Sequence, residues 1–423
     1  MKLTKKLGLM VFTAMLGAST SAFAGGFYIQ EQSVSGQGQA FAGAQADARD
    51  ASILFNNPAA MTELSGAQIT IGTSVLIPSS KFQNNGSTTT VPVAVPLTGG
   101  DDSNPFSATP VPNIYAVTPL ANDRYWLGVS VTAPFGLSND YGSSWVGRYD
   151  STKTRLSTLD ISPQFAMKVT PKLSVAAGPD FQRASGTLET AIPLAIPGSP
   201  ATDGSSRLKG DSWAVGFNAG LLYKFNDQTQ AGLHYRSAIN QGLNGRLNIS
   251  GLPVPPSVAA SADLKLPDIV EFGVSHKLNS QWTLLGSANW YNWSKFKGLA
   301  VVSPLGTSTT EFNYKDSYSF AAGTSYKYSD AWTFRGGVQF DKTPTETDFR
   351  SSRAPDSNRF WLSLGTTYNI NKHFSLDGAA THIFMPDSDV NVTDTAPSGI
   401  VTNLHGTTKN SVDILSIAGT YHF

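Results

Sequence analysis

WAVGFNAGLLYKF, residues 213–225, alternates without a slip: Trp213, Val215, Phe217, Ala219, Leu221, Tyr223 and Phe225 fall on one side, Gly216, Asn218 and Lys224 on the other. A period of two marks a β-strand. Its apolar face is closed by aromatic residues at both ends, as where a lipid-facing strand meets the two membrane surfaces. The pattern recurs. Tyr125, Leu127, Val129, Val131 and Ala133 alternate with Trp126, Gly128, Ser130 and Thr132; Trp332, Phe334, Gly336, Val338 and Phe340 alternate with Thr333, Arg335 and Gln339. Soluble sandwich strands also alternate, but they are commonly shorter and hide their apolar face. These stretches predict an all-β transmembrane barrel.

Composition agrees. Charged residues make up 14% of the 423 and aromatics 11%, where a soluble chain of this size carries roughly 25% charged residues. A lipid-facing barrel needs few charges because one face of each strand is apolar. No segment after the N-terminal leader has the roughly 18 consecutive apolar residues of a membrane helix, so strands must do the spanning. Lys2, Lys5 and Lys6, the apolar run Leu7 to Leu16 and Ala22-Phe23-Ala24 fit an export signal over 1–24, cleaved before Gly25. Its removal takes Lys+Arg from 30 to 27 against 30 acids, a balance that gives no footing for nucleic acid. Cysteine is absent, which excludes disulfides, thiolate metal sites and cysteine catalysis.

Alternation places strands at 67–77, 111–120, 124–135, 157–169, 173–189, 207–225, 229–248, 262–278, 281–300, 311–328, 331–344, 355–370, 373–391 and 409–423. Fourteen is an even number, as single-chain bacterial barrels require. Short polar turns, such as Thr170-Pro171-Lys172 and Asn226-Asp227-Gln228, alternate with long links at 78–110, 136–156, 190–206, 249–261, 301–310, 345–354 and 392–408. Short turns belong in the periplasm and long loops outside, so both termini are expected on the periplasmic side. The last strand ends Ile417, Gly419, Tyr421, Phe423. Its terminal aromatic resembles the signal read by the outer-membrane assembly machinery.

Before the first strand, residues 25–64 lack a strand period, and Gly36, Gly38 and Gly43 break any long helix. They read as a compact plug, with the barrel itself over 65–423. A plugged wall implies gated passage.

The Gly/Ala-rich plug, Asn57-Pro58-Ala59, Pro134-Phe135-Gly136, Asn218-Ala219-Gly220, Tyr235-Arg236-Ser237 and the run from Lys315 to Tyr368 resemble the FadL-type transporters of Gram-negative outer membranes. That family takes up long-chain fatty acids and includes toluene and xylene transporters. The resemblance implies a fourteen-stranded barrel closed by an N-terminal hatch, acting without cofactor or metal as a monomer. Its expected partners are a fatty acid or other hydrophobic molecule, the lipid bilayer with its lipopolysaccharide, and the assembly machinery.

An acyl chain gains about 0.8 kcal/mol per CH₂ moved from water to an apolar site, so a water-filled pore serves it poorly. It should be caught outside, enter an apolar pocket and leave sideways through the wall. Pro134 lacks an N–H and Gly136 tolerates unusual backbone angles, which puts the lateral opening at Pro134, Phe135 and Gly136, with Asn57, Pro58 and Ala59 against it. By the resemblance, Gly25, Gly26, Phe27, Tyr28 and Ile29 reach into the pocket and touch the ligand. Leu137, Tyr141, Trp145 and Tyr149 are the candidates for first capture. Where the fatty-acid members carry an Arg and a Lys for the carboxylate, this chain has Thr190 and Thr310. Arg183 is then the substitute cation, unless it pairs with Asp180 in the lumen or the ligand is uncharged.

Rival classes find little footing. The sequence has no GxSxG or HExxH for a lipase or protease. Asp387, Asp389 and Asn391 have calcium-like spacing, but Ser398 stands where a bidentate acid is needed. A general porin needs no plug, and an adhesin rests on the long loops alone.

Overall fold

The computed structural model describes residues 25–90, 93–100, 104–120, 123–194, 202–396 and 399–423. The expected leader, 1–24, and Ser398 lie outside them. Among the described residues, twenty-two strand segments bond into one sheet. It closes on itself because the first strand pairs with the last, from Gln68 opposite His422 to Asn84 opposite Gly406.

The fourteen predicted crossings are present. In order they are β1 (Gln68–Asn84), β2 (Thr109–Leu120), β3a and β3b (Tyr125–Thr132, Gly136–Asp140), β4 (Lys153–Lys168), β5 (Leu173–Ile192) and β6 (Gly204–Lys224). There follow β7a and β7b (Thr229–Arg236, Ile239–Ser250), β8a and β8b (Ser257–Leu266, Ile269–Lys277), β9a and β9b (Trp282–Tyr291, Gly298–Ser303), and β10a and β10b (Gly306–Glu311, Ser317–Lys327). The wall is completed by β11 (Trp332–Asp341), β12 (Arg359–Asn369), β13a and β13b (Phe374–Phe384, Ser388–Thr395) and β14 (Val401–His422). A small hairpin, Thr88–Thr90 with Ala94–Pro96, belongs to the loop after β1.

The alternation sorts the faces as expected. Trp213, Val215 and Phe217 are 59%, 65% and 52% exposed, while Asn218 between them and Ala219 is fully buried. Strand ends at the short turns fall within about two residues of the expected ones, but at the loop end several strands run further. β1 continues to Asn84, β4 begins at Lys153 and β14 at Val401, which shortens the links expected at 78–110, 136–156 and 392–408. Beyond the lipid both faces are polar, so the ladder continues with no hydrophobic alternation to announce it.

The barrel is full. Residues 25–62 are buried inside it except Asp47, Ala48 and Arg49, arranged as two one-turn helices, Val34–Gln37 and Ile53–Asn56, and a 3-10 turn, Pro58–Glu63. The wall makes room by omitting side chains: a Cβ at Gly220 would strike the Asn57 side chain, and one at Gly232 the carbonyl of Gln45. Several lumen charges are paired: Arg236 with Asp180 (3.2 Å), Arg335 with Asp377 (2.7 Å) and Arg359 with both Asp341 and Asp356.

Candidate functional site

The third crossing is broken where Pro134 and Gly136 stand. β3a pairs on both sides, with β2 from Leu120 to Ile114 and with β4 from Met167 to Asp160. β3b keeps only its β4 neighbour, from Gly136 opposite Ser157 to Asp140 opposite Lys153. On the other side, Thr109 to Asn113 of β2 pair with β1 alone. The wall therefore has an unpaired interval between β2 and β3b, bounded below by Ile114 opposite Val131. Above, it is bounded by the Asp140 N–H donating to the carbonyl of Pro105 (2.8 Å). Prolines are tolerated in sheets where no ladder donor is needed, and Pro110 and Pro112 occupy alternate positions along that free edge.

Buried backbone groups freed by such a break must find partners, and the N-terminal segment supplies most of them. The Ile29 N–H donates to the carbonyl of Pro134 (2.8 Å), and the Gly136 N–H to that of Phe27 (3.0 Å). Gln32 spans Ala133, its Nε2 donating to the carbonyl (2.9 Å) and its Oε1 accepting from the N–H (3.2 Å). Thr158 on β4 serves Phe135, accepting from its N–H (2.9 Å) and donating to its carbonyl (2.7 Å). Tyr28 and Phe135 face each other across an isolated antiparallel bridge, rings 5.4 Å apart. Phe27, Tyr28 and Ile29 thus meet the break, the place where Asn57, Pro58 and Ala59 were expected; of the five residues expected in the pocket, Phe27 is the one that lines the apolar cavity.

Gly25 and Gly26 lie slightly apart, beside carboxylates at the end of β11 and in the link that follows it. The Gly26 N–H donates to Asp356 Oδ2 (3.2 Å), and a Cβ on Gly25 would meet Asp341 Oδ1 at 3.2 Å. Glu31, fully buried in the same segment, bonds through neither carboxylate oxygen to any described residue. Burial, its main cause, pushes the Glu31 carboxyl up to about 8.

Asn57, Pro58 and Ala59 were expected against the break and are elsewhere. The Asn57 amide donates to the carbonyls of Gln45 (2.7 Å) and Leu221 on β6 (3.0 Å), and its Oδ1 accepts from the Ala59 N–H (3.1 Å). The niche left by Gly220 and Gly232 draws this turn to β6 and β7a.

An apolar cavity of about 80 Å³ adjoins the break. Phe27 and Leu137 line it on the side of β3b, and Leu156, Leu188, Leu243 and Phe296 extend the lining across the barrel. Phe27 packs edge-on to Trp293 (4.6 Å) and Phe296 (5.4 Å). Among the described residues, two cations border the cavity, the half-buried Arg155 and the buried Arg353, 7% exposed. The second is held within the loop after β11. Its Nη1 donates to the hydroxyls of Ser151 (3.3 Å) and Thr154 (3.1 Å), and its Nη2 to the carbonyl of Asp150 (2.6 Å). No carboxylate of a described residue lies within the 4.0 Å of an ion pair. Burial pulls its pKa down, against the charges of Asp150 and Asp394.

Sequence reasoning missed Arg353, which sits in a loop without periodicity, and chose Arg183. Arg183 is turned outward and bonded to Asp211 (3.2 Å), so it reaches neither the cavity nor Asp180. The cause is parity: even positions of β5, Asp180 and Gln182 among them, face the lumen, and odd ones do not. Thr310 is exposed in the rim hairpin, also away from the cavity. Of the four capture candidates, Leu137 is part of β3b and lines the cavity. Tyr141, Trp145 and Tyr149 are 4–8% exposed and pack the loop itself, Tyr141 stacked on Trp145 at 4.0 Å.

Residues 15–423 match the family described as outer membrane protein transport protein (OMPP1/FadL/TodX). The long-chain fatty acid transport protein of Escherichia coli O6:H1 is 30% identical over 416 residues, covering 89% of this chain and 90% of its own. Outer membrane protein P1 of Haemophilus influenzae is 29% identical over 406 residues, covering 87% and 88%. The crystal structure of a Pseudomonas aeruginosa FadL homologue superposes with a TM-score of 0.87 at 25% identity, covering 94% of this chain and 99% of that one. The Pseudomonas putida toluene transporter TodX superposes at 0.67 with 17% identity, over 92% and 97%; at that distance only the fold is compared.

Proposed function

The chain belongs to the OMPP1/FadL/TodX family of outer-membrane transport proteins, which move hydrophobic compounds and are not enzymes, and from that premise we propose that its cargo is a long-chain fatty acid. The acid enters at the loop end, lodges in the cavity beside Phe27, and leaves sideways between β2 and β3b. The observation that carries this reading is Phe27 itself. Its ring lines the cavity while its carbonyl accepts from Gly136 at the break, so a chain displacing the ring disturbs the segment that seals the wall. Transport is passive, driven by transfer of CH₂ groups from water into apolar surroundings at about 0.8 kcal/mol each.

Arg353 favours an acid over the toluene-type alternative and over a general pore. A buried guanidinium without an anion is unfavourable, and a carboxylate entering the cavity relieves it. Tyr141, Trp145 and Tyr149 act in external capture only when their loop opens, since their rings are covered in the closed form. Further parts of the reading are cleavage before Gly25, periplasmic termini, a monomer in the bilayer, and recognition of Phe423 during assembly.

The test is a reversible lock. The chain has no cysteine, so Tyr28→Cys with Phe135→Cys creates a single pair at a facing β-bridge, within disulfide reach. In a deletion strain, uptake of radiolabelled long-chain fatty acid should stop in the oxidised variant and return on reduction. Equal uptake in both forms rules out the sideways exit.

A further inference from the structure

The outer wall above the apolar belt holds an arrangement the transport reading does not use. On β4, β5 and β6 the outward positions are apolar up to Leu159, Phe181 and Trp213, and beyond them change abruptly to cations and hydroxyls. The ladder registers put Arg155 opposite Thr187, Thr187 opposite Lys209 and Lys209 opposite Arg246. Neighbouring strands lie about 4.8 Å apart, so this is one row about 14 Å long, Arg155–Thr187–Lys209–Arg246. The side chains of Arg155 and Lys209 bond to no described residue, and Arg246 reaches only the Ser257 hydroxyl and carbonyl.

The adjoining cations differ. Lys153, Arg207 and Arg183 each hold a carboxylate, Asp140 (2.7 Å), Glu189 (3.0 Å) and Asp211 (3.2 Å). Six cations thus stand against three acids in a chain whose charges balance at 30 and 30. The surface is concave, a recess of about 370 Å³ lined by Ser157, Ser185 and Thr187 together with five of the six cations; Arg246 stands beside it, opposite Lys209. Hydroxyls ringed by Arg and Lys offer a phosphate several charge-assisted hydrogen bonds at once.

We infer that this recess binds the phosphates of an anionic outer-leaflet glycolipid, lipopolysaccharide, whose acyl chains lie along the apolar belt beneath. Position chooses the lipid over a free anion. The row stands two to three outward positions beyond Leu159, Phe181 and Trp213, past Ser157, Arg183, Ser185 and Asp211, on the side where head groups meet hydrocarbon when the long loops face outside. Arg155 borders both this recess and the apolar cavity, whereas Lys209 and Arg246 do not line the cavity and carry the test.

The probe is deep-rough lipopolysaccharide, with its phosphates or enzymatically dephosphorylated, added to detergent-solubilised full-length protein and followed by native mass spectrometry. The wild type should retain the phosphorylated form about tenfold more than the dephosphorylated one. Lys209→Gln/Arg246→Gln should remove most of that preference while keeping heat-modifiable migration and fatty-acid uptake. Single Lys209→Gln and Arg246→Gln variants repeat the measurement should the double variant fail to fold. Excess inorganic phosphate should leave the lipid bound. Equal retention of the two lipid forms, unchanged preference in the variants, or displacement by inorganic phosphate would each overturn the assignment.

Discussion

Arg353 holds its guanidinium against two hydroxyls and a carbonyl at the edge of an apolar cavity. A carboxylate there gains a hydrogen bond to a charged donor, on the order of 1.5–3 kcal/mol. Arg353→Gln retains an amide donor and loses the charge. Binding of a long-chain fatty acid should therefore weaken roughly ten- to a hundredfold, while the alcohol of equal length binds as before. Calorimetry on both ligands decides it, since equal losses would make Arg353 a strut of the loop and nothing more. The contrast with Arg183 also shows how far parity reaches. Counting by twos from Asp180 places Arg183 on the outside once the face of Asp180 is known, but sequence alone leaves that face unassigned where both sides are polar. Arg353 has no strand to be counted along, and its position depends on its loop meeting β3b: Asn139 donates to its carbonyl (2.6 Å).

The elements were legible in proportion to how much lipid they touch. Pro134 and Gly136 announced the break in β3 because a residue without an N–H interrupts a ladder whatever surrounds it. Pro110 and Pro112 gave the same signal for the opposing edge and passed unread, since β2 was treated as an ordinary strand. The plug was recognisable by what it lacks, a period, while its seating was not: Asn57 lies against β6 because Gly220 and Gly232 are small, a fit between residues more than 160 positions apart. Asn57→Ala removes both bonds donated to Gln45 and Leu221 and the one accepted from Ala59. Leaving such buried groups unpaired costs about 1–3 kcal/mol. Amide exchange over 45–60 should accelerate by roughly ten- to a hundredfold, with barrel melting unchanged. Exchange at the wild-type rate would mean that this turn does not anchor the plug.

As a whole, the molecule is a closed wall with its interior taken up by its own first residues. The number of crossings and their closure followed from alternation and evenness, because those are dictated by the membrane; the contents of the lumen are dictated by side-chain fit and are written nowhere in a period. A filled interior should pass few ions. In planar bilayers the intact protein should give no large steady conductance, and a chain lacking 25–64 should give one; a large steady current through the intact protein would end the plugged-barrel account. One further result follows from Gln37, whose Oε1 accepts from Ser74 on β1 (3.2 Å) and from Ser416 on β14 (2.6 Å). It fastens the two edges that meet when the hoop shuts. One side chain of the lid is thereby a rivet in the joint of the vessel, so loosening the lid and loosening the joint are the same event at this point.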